Sequence, residues 1–298
     1  MSLSDILCGV LMAFATLGMS GDKNSSPLVY AHRGARALAP ENTLAAAKIA
    51  AQIGADGWEF DVRLTKDYEV ILMHDDTLVR TTNAAKIFPD RAPWKVSDFT
   101  LDEVRMLDAG SWFIESDPFG TLSSGEVSPT QISQYQGEKI PTLREALALS
   151  QELGLLINIE IKPAFSNFVM TKQDEILVRK TVDLVYNLGL TSKVLISSFN
   201  ARIVQYVKTL ASDIKTALLV SQTSGYLVNI LKDFQVDAIN PDYRLFSDEE
   251  LCDLRAKGFE IYIWTVNDIL DLKRFAHNPC VTGVITDWPQ RLLKLLRP

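Results

Sequence analysis

The strongest constraint on the fold of this 298-residue chain is a repeated rhythm of helical segment, glycine and short apolar strand. The rhythm occurs in AAQIGADGWEFDV, LSQELGLLINIEI, YNLGLTSKVLISSF and LRAKGFEIYIWTV. Glycine suits the end of a helix because the residue after a helix often takes a positive φ, which glycine adopts without steric cost. Strands that alternate with helices of this length are typical of parallel β-α units.

Eight such strands can be placed along the chain. Eight parallel strands can close into a (β/α)₈ barrel, a fold that typically needs ~250 residues. The predicted fold class is therefore α/β, an irregular (β/α)₈ TIM barrel, although the periodicity alone leaves a doubly wound open sheet possible. The strands are predicted at residues 28–32, 58–62, 156–161, 194–199, 216–220, 237–240, 261–266 and 283–287.

One region departs from the rhythm. The segment EVILMHD follows WEFDV after a turn at Thr65–Tyr68 that is too short for a parallel crossover, so the two arms should form an antiparallel hairpin. Residues 76 to about 140 show little periodicity, and SDPFGTLSSGEVSPTQISQYQGE has the composition of a surface loop. We expect one barrel domain over residues 28–298, with an insertion at about 76–140 over the barrel mouth.

Residues 1–27 are expected to form a separate apolar segment and polar link. Its run ILCGVLMAFATLGM, at 6–19, is shorter than the ~20 residues of a membrane-spanning helix. No Lys or Arg precedes the run, and Asp5 stands where a signal peptide carries positive charge. A helix that packs on the domain or touches a membrane, and a degenerate export signal, both remain open.

Charge and cysteine content exclude some classes of protein. A net charge of −7 argues against a nucleic-acid partner, which needs a basic face. The three cysteines, Cys8, Cys252 and Cys280, have neither metal-ligand spacing nor an even-numbered framework. We expect them to be reduced and structural.

Two strands carry carboxylates among apolar residues. Side chains two apart on a strand point to the same side, so Glu59 and Asp61 share one face, as do Asn158, Glu160 and Lys162. Both sets lie towards the carboxyl ends of their strands, where barrel active sites are built. Converging carboxylates repel unless a cation neutralises them, and oxygen ligands suit Ca²⁺ or Mg²⁺. The spacing therefore predicts a divalent-metal site.

Two of the three histidines fall near the same point. His32 ends the first strand, and a turn centred on Lys66–Asp67 would bring His74 level with Glu59 to Asp61. Two imidazoles beside a metal can serve as general base and general acid near neutral pH. His277, at a helix end, is expected to be a hydrogen-bonded core residue.

These residues lie in blocks that resemble those of the glycerophosphodiester phosphodiesterases. The blocks are AHRGARALAPENT, WEFDVRLTKDYEVILMHDD and NIEIKP, followed in order by LISSF, YIWTVN and VITDWP. The resemblance covers roughly residues 28–297, and DAGSW is most similar to the cytosolic bacterial members. It implies a barrel that hydrolyses glycerophosphodiesters to sn-glycerol 3-phosphate and an alcohol. One departure is Tyr68, where the family usually has Gly.

The resemblance also implies roles for individual residues. It gives metal ligation to Glu59, Asp61 and Glu160, acid–base catalysis to His32 and His74, phosphate binding to Arg33 and Lys162, a place near the metal and Arg33 to Glu41, and the pocket wall to Trp264. Asn42 is expected to cap the helix that follows it. Which histidine is the base, which metal is preferred and which alcohol leaves cannot be read from the residues.

Two other functions remain open from the sequence. A related barrel phosphodiesterase, similar to a phospholipase D, would act on lysophospholipids and could use residues 6–19 for membrane contact. A metal-stabilised barrel that only binds would lack catalytic groups. The expected partner is a small-molecule glycerophosphodiester, with no nucleic acid. The expected location is cytoplasmic, with export or membrane association through residues 6–19 as the alternative.

Overall fold

Eight parallel strands form a closed ring in the computed structural model, which describes residues 26–165 and 169–297. The ring closes because β1 pairs with both β2 and β9, which confirms the barrel and excludes the open sheet. A ninth strand, β3, pairs only with β2 and lies outside the ring. The strands are β1 Leu28–His32, β2 Gly57–Leu64, β3 Val70–Leu72, β4 Leu156–Ile161, β5 Val194–Ser198, β6 Lys215–Val220, β7 Ala238–Pro241, β8 Glu260–Ile263 and β9 Gly283–Thr286.

Helices connect the strands, and their ends follow local capping chemistry. At α6, for example, Thr142 and Glu145 form a reciprocal capping box, and Gly154 ends the helix at φ +71°. No helix of the described residues is both long and apolar enough to cross a membrane. The helices are α1 Leu44–Gln52, α2 Ala84–Ile87, α3 Leu101–Arg105, α4 Ser111–Ser116, α5 Pro129–Tyr135, α6 Leu143–Leu153, α7 Lys172–Asn187, α8 Ala201–Leu210, α9 Leu227–Asp233, α10 Asp248–Ala256, α11 Ile269–Ala276 and α12 Pro289–Leu296, with 3₁₀ turns at Val96–Asp98 and Tyr243–Leu245.

The strands bury apolar residues on their outer faces and close the barrel floor with a second apolar layer. On β2, Trp58, Phe60 and Val62 are fully buried and belong to the large core shared with the helices. The floor, at the amino ends of the strands, is a separate cluster in which the rings of Tyr30 and Tyr262 meet edge to face at 5.6 Å. The polar residues of the barrel interior lie above this floor, together with a few apolar side chains such as Leu219.

The hairpin forms as the sequence predicts. Val62 pairs with Leu72, and the amide of Met73 donates to the carbonyl of Asp61 at 3.0 Å. This register sets His74 opposite Phe60, which is level with the carboxylates. Strict alternation would turn His74 to the outer face with Phe60, but β3 ends at Leu72 and the chain bends, so that the imidazole lines the barrel cavity.

Residues 76–140 fold as short helices, α2 to α5. The first part packs in an apolar cluster with the hairpin arm, whereas α4 and α5 bury Phe113 and Tyr135 in the main core. The expectation that residues 116–138 are surface loop is wrong in part. A capping box between Ser128 and Gln131, with Pro129 in the first turn, starts α5. Tyr135 is buried, and its hydroxyl donates to the carbonyl of Leu38 at 2.9 Å. The polar composition of this segment therefore reflects the exposed face of α5, which the buried ring of Tyr135 holds against the domain.

Cys252 and Cys280 form a disulfide, with Cα atoms 4.9 Å apart and a sequence separation of 28. The expectation that these two cysteines are reduced is therefore wrong, and Cys8 lies outside the described residues. Spacing along the chain gave no sign of the pair because Cys252 lies in α10, whereas Cys280 follows α11 in the next β-α unit. The bond links neighbouring units on the outside of the barrel.

The hairpin turn holds Tyr68 in a backbone conformation that residues other than glycine rarely adopt. Tyr68 has φ +63°, in the left-handed region, and its side chain is 45% exposed. The Tyr68→Gly variant should be more stable than the Tyr68→Ala variant, with a free energy of unfolding higher by roughly 1 kcal/mol. Both substitutions remove the ring, but only Ala keeps a Cβ at positive φ. Urea denaturation measures the difference.

Lys66, in the same turn, has no positive φ and serves as the control. There the order should reverse, with Lys66→Ala more stable than Lys66→Gly. Equal stability of the two Tyr68 variants would show that the turn relaxes and stores no strain.

Candidate active site

Three buried carboxylates meet inside the barrel. Glu59 and Asp61 lie on β2, and the strand register places Asp61 directly beside Glu160 of β4. One carboxylate oxygen from each residue lies within 4.8 Å of the others. The alternation of side chains along the two strands therefore brings together the three residues that the sequence singles out.

The charges of the triad are only partly compensated. Burial raises the pKa of Glu59 well above its usual range, and the charges of Asp61 and Glu160 raise it further. Burial also raises the pKa of Glu160, against the opposing effect of Lys162. For Asp61, burial is outweighed by Lys162 and Arg33, which hold its pKa well below the usual range.

The triad fits a hard divalent cation. Glu59 Oε2 accepts a hydrogen bond from the amide of Arg33 at 2.9 Å, but no described residue donates to its buried Oε1. A buried acceptor without a partner is costly, and three carboxylates provide the all-oxygen ligand set that Ca²⁺ and Mg²⁺ prefer. Glu59, Asp61 and Glu160 are therefore the residues that can hold a metal.

The two cations expected to bind phosphate contact the carboxylates. The ammonium of Lys162 lies 3.0 Å from Asp61 Oδ1 and is also paired with Glu160. Arg33 Nε lies 3.6 Å from Asp61 Oδ2, and its Nη1 donates to Glu41 at 2.9 Å. Both positive charges lie at the edge of the triad, where an anionic ligand could contact them.

Glu41 is held by arginines. Arg33, Arg36 and Arg80 lie 2.9, 3.1 and 2.7 Å from its carboxylate. Burial opposes ionisation, but the hydrogen bond from Arg80 and the charges of all three arginines lower the pKa of Glu41 to about 2. Because these cations saturate its oxygens, Glu41 orients Arg33 and is not part of the acidic triad.

Each of the two histidines is paired with an aspartate through Nδ1. His32 Nδ1 lies 2.6 Å from Asp287, and His74 Nδ1 lies 2.7 Å from Asp75. Both rings line the same cavity as Glu59 and Glu160. Burial lowers the pKa of His32 even though Asp287 acts to raise it. An Nδ1 partner fixes the ring and leaves Nε2 for proton transfer.

Sequence reasoning missed three residues that hold this site. Asp75 directly follows His74 and could have been noticed, whereas Asp287 lies 255 residues from His32. The expectation that Asn42 caps the next helix is wrong, because Thr43 is the cap of α1. Asn42 Nδ2 instead donates to the carboxylate of Asp61 at 2.9 Å, and Asn42 Oδ1 accepts from the backbone amide of Asp61 at 3.2 Å.

The cavity has a volume of about 140 Å³, with amides deep inside and aromatic rings at the wall. Asn240 is fully buried, and neither side-chain atom has a hydrogen-bond partner among the described residues. Trp264 lies at the wall as expected, edge to face with Phe199 at 5.7 Å.

His277 lies exposed at the end of α11, so the expectation that it is a core residue is wrong.

Comparison with known proteins identifies the family of this chain. Residues 32–291 match the model of the glycerophosphoryl diester phosphodiesterase family. A glycerophosphodiester phosphodiesterase of Caldanaerobacter subterraneus subsp. tengcongensis is 34% identical over 270 residues, 91% of this chain and 98% of the relative. One from Bacillus subtilis is 32% identical over 277 residues, 90% of this chain and 86% of the relative.

A solved structure extends the comparison to a bound molecule. An Oleispira antarctica phosphodiesterase in complex with the product sn-glycerol-3-phosphate is similar to this chain with a TM-score of 0.74 and 28% sequence identity. The match covers 92% of this chain and 98% of that one.

The unpaired amide of Asn240 should lower stability. Asn240→Leu is expected to raise the free energy of unfolding by roughly 1 kcal/mol, because a buried polar group without partners costs about 1–3 kcal/mol. Asn200 is the control, since it is equally buried but caps α8 and donates to the carbonyl of Val169 at 3.1 Å. Asn200→Leu should destabilise the protein. If both substitutions destabilise it equally, the Asn240 amide is satisfied within the fold.

Proposed function

The chain belongs to the glycerophosphoryl diester phosphodiesterase family, and we propose that it hydrolyses glycerophosphodiesters with a divalent metal and two histidines. Family membership makes it a phosphoric diester hydrolase. The products are sn-glycerol 3-phosphate and an alcohol. The observation that carries the two-histidine scheme is that two aspartate-paired imidazoles line one cavity with the acidic triad.

The metal would be held by Glu59, Asp61 and Glu160. When bound, a divalent ion neutralises these carboxylates and stabilises negative charge on the phosphate oxygens. The ligand set admits either Ca²⁺ or Mg²⁺. The incomplete charge compensation at Glu59 supports this assignment, since positive charge beyond that of Lys162 and Arg33 favours the ionised form of all three groups.

Arg33 and Lys162 bind the phosphate diester, whose negative charge grows in the transition state. Glu41 keeps the Arg33 guanidinium in place. One imidazole removes the proton from the nucleophile, and the other protonates the departing alcohol oxygen. Asp287 and Asp75 accept from Nδ1 and stabilise each ring while it carries the extra proton. The nucleophile is either the glycerol 2-hydroxyl, which gives a cyclic phosphate that water opens, or water itself.

The glycerol end of the substrate is bound by the buried amides. Asn240 offers both a donor and an acceptor, and Asn158 Nδ2 is a further donor without a partner among the described residues. Both line the cavity together with Phe199 and Trp264. Hydroxyl groups can satisfy these atoms where an acyl chain cannot, which favours glycerophosphodiesters over lysophospholipids.

Turnover of paired substrates tests the activity. With Ca²⁺ or Mg²⁺, the enzyme should release glycerol 3-phosphate from glycerophosphocholine, detected with a coupled dehydrogenase, and EDTA should abolish the release. Lysophosphatidylcholine, followed by choline release, should be turned over at least tenfold more slowly. Faster turnover of lysophosphatidylcholine would establish the lysophospholipase D alternative, and full activity in EDTA would exclude the metal.

The proposed catalytic roles of His32 and His74 can be tested with His277 as the control. His32→Ala and His74→Ala should each lower kcat by about 10²–10⁴-fold, the usual contribution of general acid–base groups. Exposed His277 provides the matched control, and His277→Ala should keep wild-type kcat. If both site variants retain more than a tenth of wild-type turnover while remaining folded, two-histidine catalysis is wrong.

A further inference from the structure

A second cavity of about 160 Å³ lies beside the site, and Lys162 lines both cavities. Its walls come from the end of β2, the hairpin turn, the 3₁₀ turn Val96–Asp98 and the start of α7. Four cations and two carboxylates line it, namely Arg63, Lys66, Lys95, Lys162, Asp76 and Asp174. Because Lys162 is paired with Asp61 and Glu160, three cations face the two carboxylates of this cavity. The lining is therefore slightly positive in a protein whose net charge is −7.

Arg63 continues the functional face of β2. It lies two residues beyond Asp61, so its side chain points to the same side as those of Glu59 and Asp61. Its Nε donates to the carbonyl of His74 at 3.0 Å. The guanidinium forms no ion pair with any carboxylate of residues 26–165 or 169–297, although the side chain is half-buried. The carboxylates of Asp61 and Asp76 act on the guanidinium only through space. A partly desolvated cation with no direct ion pair can still bind an anionic ligand.

The remaining charges of the cavity also favour an anion. Lys66 and Lys95 are exposed at its rim, and neither has an ion-pair partner in the described part of the chain. The negative charge of Asp174 is partly offset by the backbone amides of Ala164 and Thr171, which donate to its oxygens at 2.7 Å. Asp76 is then the remaining carboxylate at the wall to oppose these cations.

The two cavities are complementary in size. Pockets that enclose drug-sized ligands measure roughly 300–1,000 Å³, so the catalytic cavity of about 140 Å³ has room for only part of a diester. The second cavity brings the combined volume to the lower end of that range. Because Lys162 lines both, a phosphate held by this lysine can extend its glycerol into one and its alcohol into the other.

We propose that the second cavity binds an anionic group on the leaving alcohol, so that the preferred substrates are glycerophosphodiesters whose alcohol carries a phosphate or carboxylate. This proposal rests on the proposed function. Arg63, Lys66 and Lys95 supply the recognition, and the same charges disfavour a cationic alcohol such as choline. The alcohol is selected by charge, whereas the glycerol is selected by the amides in the catalytic cavity.

The test compares glycerophosphoinositol with glycerophosphoinositol 4-phosphate, which differ by one phosphate on the alcohol. Wild-type kcat/KM should be at least tenfold higher for the phosphorylated substrate, and the ratio should shrink at 0.5 M salt because exposed charges are screened. Lys66→Gln combined with Lys95→Gln should lower the ratio by roughly two- to thirtyfold, since two exposed cations each contribute about 0.2–1 kcal/mol. The kcat/KM for glycerophosphoinositol should change less than twofold.

Lys193→Gln combined with Lys257→Gln is the matched control. Both lysines are exposed and precede strands at the amino end of the barrel, and their loss removes the same net charge. This control should keep the wild-type ratio. An equal ratio in all three proteins, or a wild-type preference for the neutral alcohol, overturns the anion subsite while leaving the hydrolase intact. Failure to release glycerol 3-phosphate from either substrate would instead overturn the proposed function.

Discussion

The mutual repulsion of three buried carboxylates is the constraint on which the rest of the structure depends. Glu59, Asp61 and Glu160 converge because parallel strands β2 and β4 run side by side with their side chains in register. Such a cluster is stable only if positive charge and hydrogen-bond donors surround it. Lys162, Arg33 and Asn42 provide part of that compensation. The part that they leave uncompensated is what the proposed cation would neutralise.

A second layer of charge extends the site to its surroundings. Arg80 binds both Glu41 and Asp75, and therefore connects the 76–140 region to the loop after β1 and to the partner of His74. Asp287, after the last strand, holds His32 on the first. The closure of the barrel and the packing of the insertion are therefore conditions for His32 and His74 to be held in the cavity, as well as sources of stability.

The sequence predicts the features that follow from local geometry. Period-two alternation identifies the triad, and the length of the turn places His74 beside it. The pairing of His32 with Asp287 depends on barrel closure over 255 residues, and no spacing along the chain encodes it. The disulfide between Cys252 and Cys280 depends in the same way on neighbouring β-α units.

Locating the ion is the most direct test of the central claim that the triad exists to bind a divalent cation. Crystals grown with Mn²⁺, which favours oxygen ligands as Mg²⁺ does, should show one strong anomalous peak within roughly 2.0–2.6 Å of oxygens from all three carboxylates. Lys162 should then no longer be paired with both Asp61 and Glu160. A saturated crystal with no peak there, in which Lys162 keeps both contacts, would contradict the claim.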